Sequence, residues 1–127
     1  MAGRVRWLSR KPAAGRVAIA TAAAAFTSVF FIDFCNLVYQ CGCRSLWAGA
    51  DAACNIHTYG VRHCPWCSIG AAGGILIWAS IVGSQIFIAL RSRYLRWYST
   101  AVASFAMFPL VGGVLALGLG LWFGYWS

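Results

Sequence analysis

Three apolar stretches of the chain are each long enough to cross a lipid bilayer as a helix. They cover residues 17–39, 69–90 and 100–126. A bilayer core of about 30 Å needs roughly 20 apolar residues at 1.5 Å per residue. Charged residues make up only 9% of the chain, against about 25% in a soluble domain. We therefore predict an all-α integral membrane protein with three transmembrane helices in one domain, and we exclude a soluble enzyme domain.

The positive charges are distributed unevenly between the two sides of such a membrane unit. Eight flank the inner ends of the segments, in residues 1–16 and 91–99: Arg4, Arg6, Arg10, Lys11, Arg16, Arg91, Arg93 and Arg96. The long connection, residues 40–68, has only Arg44 and Arg62. Because cytoplasmic loops carry the excess of Lys and Arg, we predict a cytoplasmic N-terminus and short loop. The long loop and the C-terminus are then periplasmic or extracellular.

This charge pattern also bears on localisation and partners. The charges flank the apolar segments as topology requires, so lipid is the expected partner and nucleic acid is not. The first segment is longer than the apolar part of a signal peptide and no A-x-A site follows it, so we expect it to be uncleaved. The richness in Arg, Ala and Gly favours a bacterial protein of the inner membrane.

The long loop concentrates the residues that can carry chemistry. Seven potential metal ligands fall within residues 41–67: Cys41, Cys43, Cys54, His57, His63, Cys64 and Cys67. Both histidines of the chain are among them, and each lies close to a cysteine. A membrane anchor does not need such a set, so the loop is the predicted functional site.

Metal binding is the first interpretation of this loop. Cys54-x2-His57 and Cys64-x2-Cys67 are two ligand pairs with the short gap that aims two donors at one ion. Two such pairs make a tetrahedral site, which zinc prefers. Cys41, Cys43 and His63 are the alternate ligands. Thiolates also suit Cu(I), so copper is the alternative metal.

Thiol–disulfide exchange is the second interpretation. Cys64-Pro65-Trp66-Cys67 is a C-x-x-C motif directly before the second segment, where a helix N-terminus lowers a thiol pKa. Cys41 and Cys43 are the predicted second pair, and Asp33 lies below them near a possible quinone. This layout is similar to that of bacterial inner-membrane enzymes that pass electrons from disulfides to quinone. Those enzymes have at least four spans, whereas this chain has three.

A loop stapled by disulfides, in a purely structural subunit, is the third interpretation. The loop has five cysteines, so one has no partner within it. The sixth, Cys35, lies at membrane depth and is interpreted as a small apolar filler. We predict a non-enzymatic accessory subunit or an assembly or metal-handling factor, associated with other membrane-protein subunits.

Small and polar residues predict how the helices pack. Gly112, Ala116, Gly120 and Gly124 recur every four residues in the third segment, and Gly70 and Gly74 do so in the second. Such ridges allow close approach of helices in lipid. Asp33, Asn36 and Gln40 share one face of the first segment. An intramembrane carboxyl usually faces protein or water, so Asp33 is a candidate contact for a neighbouring helix or a cofactor.

Overall fold

Four α-helices and one short 3-10 turn make up the regular structure of the residues that the structure describes. The computed structural model describes residues 2–44, 49–92 and 94–127, with the side chains of residues 2–13 left out. The helices are α1 (Ala2–Tyr39), α2 (Pro65–Ser68), α3 (Gly70–Arg91) and α4 (Trp97–Trp122), and the 3-10 turn covers Asn55–His57. The described residues contain no strand, so the prediction of an all-helical chain is confirmed.

Three of these helices are long and apolar enough to cross a membrane. They are Ala14–Tyr39 of α1, all of α3 and all of α4. The three helices pack against one another pairwise. Each therefore buries one stripe in the bundle and leaves the rest of its apolar surface outside.

The ridge of small residues on α4 lies inside the bundle. Gly112 and Gly120 are buried, and so is Ala116 between them. A methyl group built on Gly112 would come within 3.1 Å of the Phe34 ring. The Tyr39 hydroxyl donates a hydrogen bond to the carbonyl oxygen of Ala116. The missing side chains on α4 thus allow α1 to approach the α4 backbone.

Thr27, Gln85 and Ser104 form a polar contact that joins all three long helices. Thr27 on α1 donates a hydrogen bond to Oε1 of Gln85 on α3, at 2.8 Å. Ser104 on α4 donates to the backbone carbonyl of the same Gln85, at 3.0 Å. Thr27, Gln85 and Ser104 are all fully buried. Hydrogen bonds between helices in an apolar surrounding hold their register.

The two ends of the bundle differ in chemistry. The end of α1, the start of α3 and the end of α4 meet at one end, since the Tyr39 and Tyr125 rings lie 5.2 Å apart. All the cysteines lie at this end, whereas Arg91 and Trp97 lie at the other. The side chains of Arg4, Arg6, Arg10 and Lys11, and Arg93, were used to predict orientation and lie outside the described residues.

The three polar residues predicted to share a face of α1 have separate surroundings. Asp33 is exposed on the surface of the helices, and so is Gln40. Asn36 instead accepts a hydrogen bond from the backbone N–H of Gly42, at 2.8 Å. Asp33 is therefore turned away from the bundle interior, and Asn36 belongs to the end of α1 that organises the loop.

Candidate metal centre

The six cysteines of the chain converge on one place at the end of the bundle. Cys35 comes from the last turns of α1, Cys41 and Cys43 from the chain that follows it, and Cys54 from the residue before the 3-10 turn. Cys64 directly precedes the short helix α2, and Cys67 lies within it. We call these six residues the cysteine cluster. All six are free thiols.

The sulfur atoms of the cysteine cluster touch one another. The Sγ atom of Cys35 lies 3.4 Å from that of Cys64 and 3.7 Å from that of Cys41. Cys43 Sγ lies 3.4 Å from the sulfurs of both Cys41 and Cys67. A tetrahedral metal site with bonds of about 2.3 Å spaces its sulfurs by about 3.8 Å. The thiols are therefore spaced within a few tenths of an ångström of what a shared ion requires.

Twelve pairs of sulfur atoms in the cluster lie within 4.8 Å of each other, and four trios of cysteines contain each of these pairs once. The trios are Cys35–Cys41–Cys64, Cys35–Cys43–Cys67, Cys41–Cys43–Cys54 and Cys54–Cys64–Cys67. Every cysteine belongs to two trios. The cluster is thus one continuous body of six thiols and not a set of separate pairs.

The turn after α1 places the first two loop cysteines. Gln40 and Gly42 have positive φ angles of 50° and 89°, which reverse the chain at the end of the helix. A methyl group on Gly42 would lie 2.5 Å from the carbonyl oxygen of Ala53. The chain following Cys41 therefore lies directly against the chain preceding Cys54, and only glycine fits between them.

One asparagine ties the rest of the loop together. Asn55 Oδ1 accepts the backbone N–H of Cys64 at 2.7 Å, and its own backbone N–H donates to the Cys41 carbonyl at 2.8 Å. Its Nδ2 donates to the Arg62 carbonyl and to the Tyr125 hydroxyl. Asn55 thereby fixes three parts of the chain around the cysteine cluster.

Aromatic rings close the cluster toward the bundle. Trp66, between the two cysteines of the C-x-x-C motif, stacks on Phe31 of α1 with ring centroids 4.9 Å apart. The Tyr39 ring meets Trp66 edge to face. The Trp66 indole nitrogen is buried and has no hydrogen-bond partner among the described residues. The cluster therefore sits above an apolar floor that excludes water from below.

Burial raises the pKa of some thiols in the cluster, whereas a hydrogen bond between two thiols lowers the pKa of another. Burial raises the pKa of the Cys43 and Cys54 thiols, because a thiolate is poorly solvated there. The Cys35 thiol lowers the pKa of Cys41 by hydrogen bonding to its sulfur. Within the cluster, one neutral thiol thus stabilises a neighbouring thiolate, which is the form that binds metals.

A pocket of about 300 Å³ borders one side of the cluster. Its walls include three cysteines of a single trio, Cys35, Cys43 and Cys67, with Gly70 and Gly74 of α3 and Asp51 of the loop. The ridge of small residues on α3 therefore faces this pocket. Cys67 is also the one cluster cysteine that is not fully buried. This trio is the accessible face of the cluster.

The predicted ligands are only partly brought together. Cys54, Cys64 and Cys67 form one trio, and the alternates Cys41 and Cys43 belong to the same cluster. His57 and His63 are exposed and occur in none of the groups among the described residues that could hold a metal ion. His63 Nε2 lies 3.3 Å from the Thr58 carbonyl oxygen.

Cys35 was not among the predicted ligands. Its sulfur belongs to two of the trios, and its side chain is 2% exposed. The interpretation as an apolar filler therefore overlooked a member of the site. The odd number of cysteines in the loop was the available signal, because Cys35 completes an even set of six.

Comparisons of the chain with protein-family models, curated proteins and solved structures give no match.

Proposed function

We propose that this chain is a membrane protein that binds thiophilic metal ions through its cysteine cluster. The observation that carries the proposal is the convergence of all six thiols into four overlapping trios. Thiolates select soft or borderline ions, of which zinc and Cu(I) are the common biological ones. Zinc is the metal that the sequence pattern favours, and copper is the alternative.

The surface of the three long helices supports a place in a membrane. Large apolar side chains point outward on every one of them, such as Phe30 (43% exposed), Leu76 (69%) and Val114 (71%). In water such a belt promotes association, whereas in lipid it is the favourable surface. The excess of Lys and Arg in residues 1–16 and 91–99 of the sequence supports our proposal that the cluster faces the outer side of a bacterial inner membrane.

A metal-handling or assembly role fits this location better than catalysis does. Binding of an ion to reduced thiols protects them on an oxidising face of the membrane. The accessible trio beside the pocket offers a side from which ions are exchanged. We propose that the chain holds metal for, or passes it to, other membrane-protein subunits.

Metal content and thiol count, measured on one sample, test the proposal. The protein is purified from native membranes in detergent without chelator, and its metal is determined by elemental analysis. Thiols are then alkylated before and after chelator treatment. Stoichiometric metal, with thiols that react only after chelation, is the expected result. Metal far below one ion per chain, with thiols reactive from the start, would refute metal binding.

Thiol–disulfide exchange is the second candidate, favoured by the pairing of the C-x-x-C cysteines. Cys64 Sγ lies 3.4 Å from Cys35 Sγ, and Cys67 Sγ lies 3.4 Å from Cys43 Sγ. Each pair would lose two electrons and two protons as its disulfide forms, with a quinone as the acceptor that becomes quinol. A mixed disulfide trapped on Cys64 by Cys35→Ser, or on Cys43 by Cys67→Ser, supports this function. Complete alkylation of wild-type thiols without any trapped partner speaks against it.

A further inference from the structure

The pattern of close sulfur pairs in the cysteine cluster bears on the number of ions that it can hold. No two trios share a pair of cysteines, and each cysteine belongs to two trios. Three pairs never occur in one trio: Cys35 with Cys54, Cys41 with Cys67, and Cys43 with Cys64. Six points with three opposed pairs form an octahedron. The twelve sulfur pairs inside the four trios are the twelve edges of that octahedron, so all eight of its faces meet the same 4.8 Å spacing. The four trios are one set of four alternating faces.

We propose that the cysteine cluster holds four Cu(I) ions, one on each trio. This inference rests on the proposed function and specifies the metal and its number at the same site. Cu(I) is a soft ion that thiolates select, and it accepts three thiolates in a trigonal plane. Four trigonal ions on alternating faces require each sulfur to bridge two ions. Each cysteine belongs to two trios, as this requires.

Two zinc ions would impose a different pattern on the same six thiolates. Zinc takes four ligands in a tetrahedron, so two ions on six sulfurs must share two bridging sulfurs. The remaining four sulfurs would then be terminal, and the terminal sulfurs of one ion would lie far from those of the other. In the chain no cysteine is distinguished as bridging or terminal, because all six have the same membership in the trios.

The spacing of the sulfurs also fits a trigonal site. Three sulfurs at about 2.3 Å from a central ion lie about 4.0 Å apart. The closest sulfur pairs of the cluster lie at 3.4 to 3.7 Å, and all pairs within a trio lie within 4.8 Å. Each face therefore accommodates an ion when its sulfur–sulfur distances change by less than about 1 Å.

The binding reaction balances without any change of oxidation state. Six thiols lose six protons, four Cu(I) ions form bonds to the resulting thiolates, and no electron is transferred. Four positive and six negative charges leave a net charge of −2 on the cluster of four trios and six cysteines. Trp66 and Tyr39 shield the side of the cluster that faces the bundle from water.

A copper titration tests the number of ions. The full-length protein in detergent is reduced, freed of metal and titrated anaerobically with Cu(I) in the presence of a competing Cu(I) chelator. Saturation at four ions per chain, one per trio, is expected. The ultraviolet thiolate-to-copper absorption should end at the same ratio, with the orange luminescence that water-shielded Cu(I)–thiolate clusters emit. Copper X-ray absorption should show three sulfur neighbours and short copper–copper distances.

Two variants sharpen the test. Cys54→Ser removes one sulfur from two trios, so the copper number should fall to two or fewer. His57→Ala is the matched control, since this exposed side chain lies three residues away in the same turn, and it should leave the number unchanged. Should Cys54→Ser fail to fold, the X-ray absorption of the wild-type protein still decides the coordination.

The possible outcomes separate this inference from the proposed function. Saturation at one or two copper ions, or tight binding of two zinc ions with no further copper uptake, overturns the four-copper cluster and leaves metal binding intact. A loss of copper in His57→Ala also overturns the all-thiolate arrangement. Absence of tight binding for both metals refutes the proposed function as well.

Discussion

Gly42→Ala is expected to damage the cysteine cluster without removing any cysteine. Gly42 lies between Cys41 and Cys43, has a φ angle of +89°, and would carry a methyl group 2.5 Å from the Ala53 carbonyl oxygen. A side chain at positive φ costs about 1–2 kcal/mol. Forcing atoms into a filled space adds about 1–3 kcal/mol. The loop must therefore either lose stability or move Cys41 and Cys43 away from the chain around Cys54.

Gly60→Ala is the matched control for this substitution. Gly60 also has a positive φ angle, +81°, but a methyl group there meets nothing within 4 Å. It should cost only the backbone term of about 1–2 kcal/mol. The difference between the two variants, about 1–3 kcal/mol, isolates the contact between the two cysteine-bearing segments.

The assay combines denaturant unfolding of the metal-free proteins in detergent with metal retention under chelator. Gly42→Ala should unfold at lower denaturant than Gly60→Ala and should retain less metal, although both keep all six cysteines. Equal stability and equal metal retention in the two variants would refute the account of how this turn places the cluster.

Three further predictions follow from the site. Asn55→Ala removes the side chain that binds the Cys64 N–H and the Tyr125 hydroxyl, so metal retention should fall. Asn55→Asp keeps the acceptor for the Cys64 N–H, so its metal retention should fall less. Equal losses in the two variants would contradict this role. Gly74→Leu fills the pocket beside the accessible trio and should slow metal removal by chelator several-fold without changing metal content, whereas the exposed control Gly118→Leu should not; equal rates would oppose exchange at that face. Because burial raises the pKa of Cys43 and Cys54 above that of a free thiol, both are protonated at neutral pH. Metal must displace their protons, so metal occupancy under fixed competitor should rise from about pH 6 to about pH 8, and a flat profile would contradict it.

The helices were predictable because their signal is local. A run of about 20 apolar residues identifies a membrane-crossing helix without knowledge of its neighbours. The buried ridge around Ala116 was predictable for the same reason, because its small residues recur every four positions along a single helix. The exposed position of Asp33 was not, because it depends on which face of α1 meets the other two helices.

The candidate metal site was only partly predictable, since spacing along the loop identifies pairs of cysteines but not how the pairs come together. The sequence pattern joined Cys54 to His57 because they are three residues apart. In the structure the 3-10 turn after Cys54 directs His57 outward. Cys35 joins the cluster from a helix, through the chain reversal at Gln40 and Gly42. No known ligand spacing in a sequence indicates that the chain will turn back at this point and bring the loop onto Cys35.

The most direct test of a metal centre built from cysteines alone is X-ray absorption at the edge of the bound metal, on protein purified from native membranes. We expect a first coordination shell made only of sulfur. This shell should be unchanged when both histidines are replaced by alanine. A shell that contains imidazole nitrogen, or protein that carries no metal while its cysteines form disulfides, would contradict the claim that the six thiols act together as the metal-binding site.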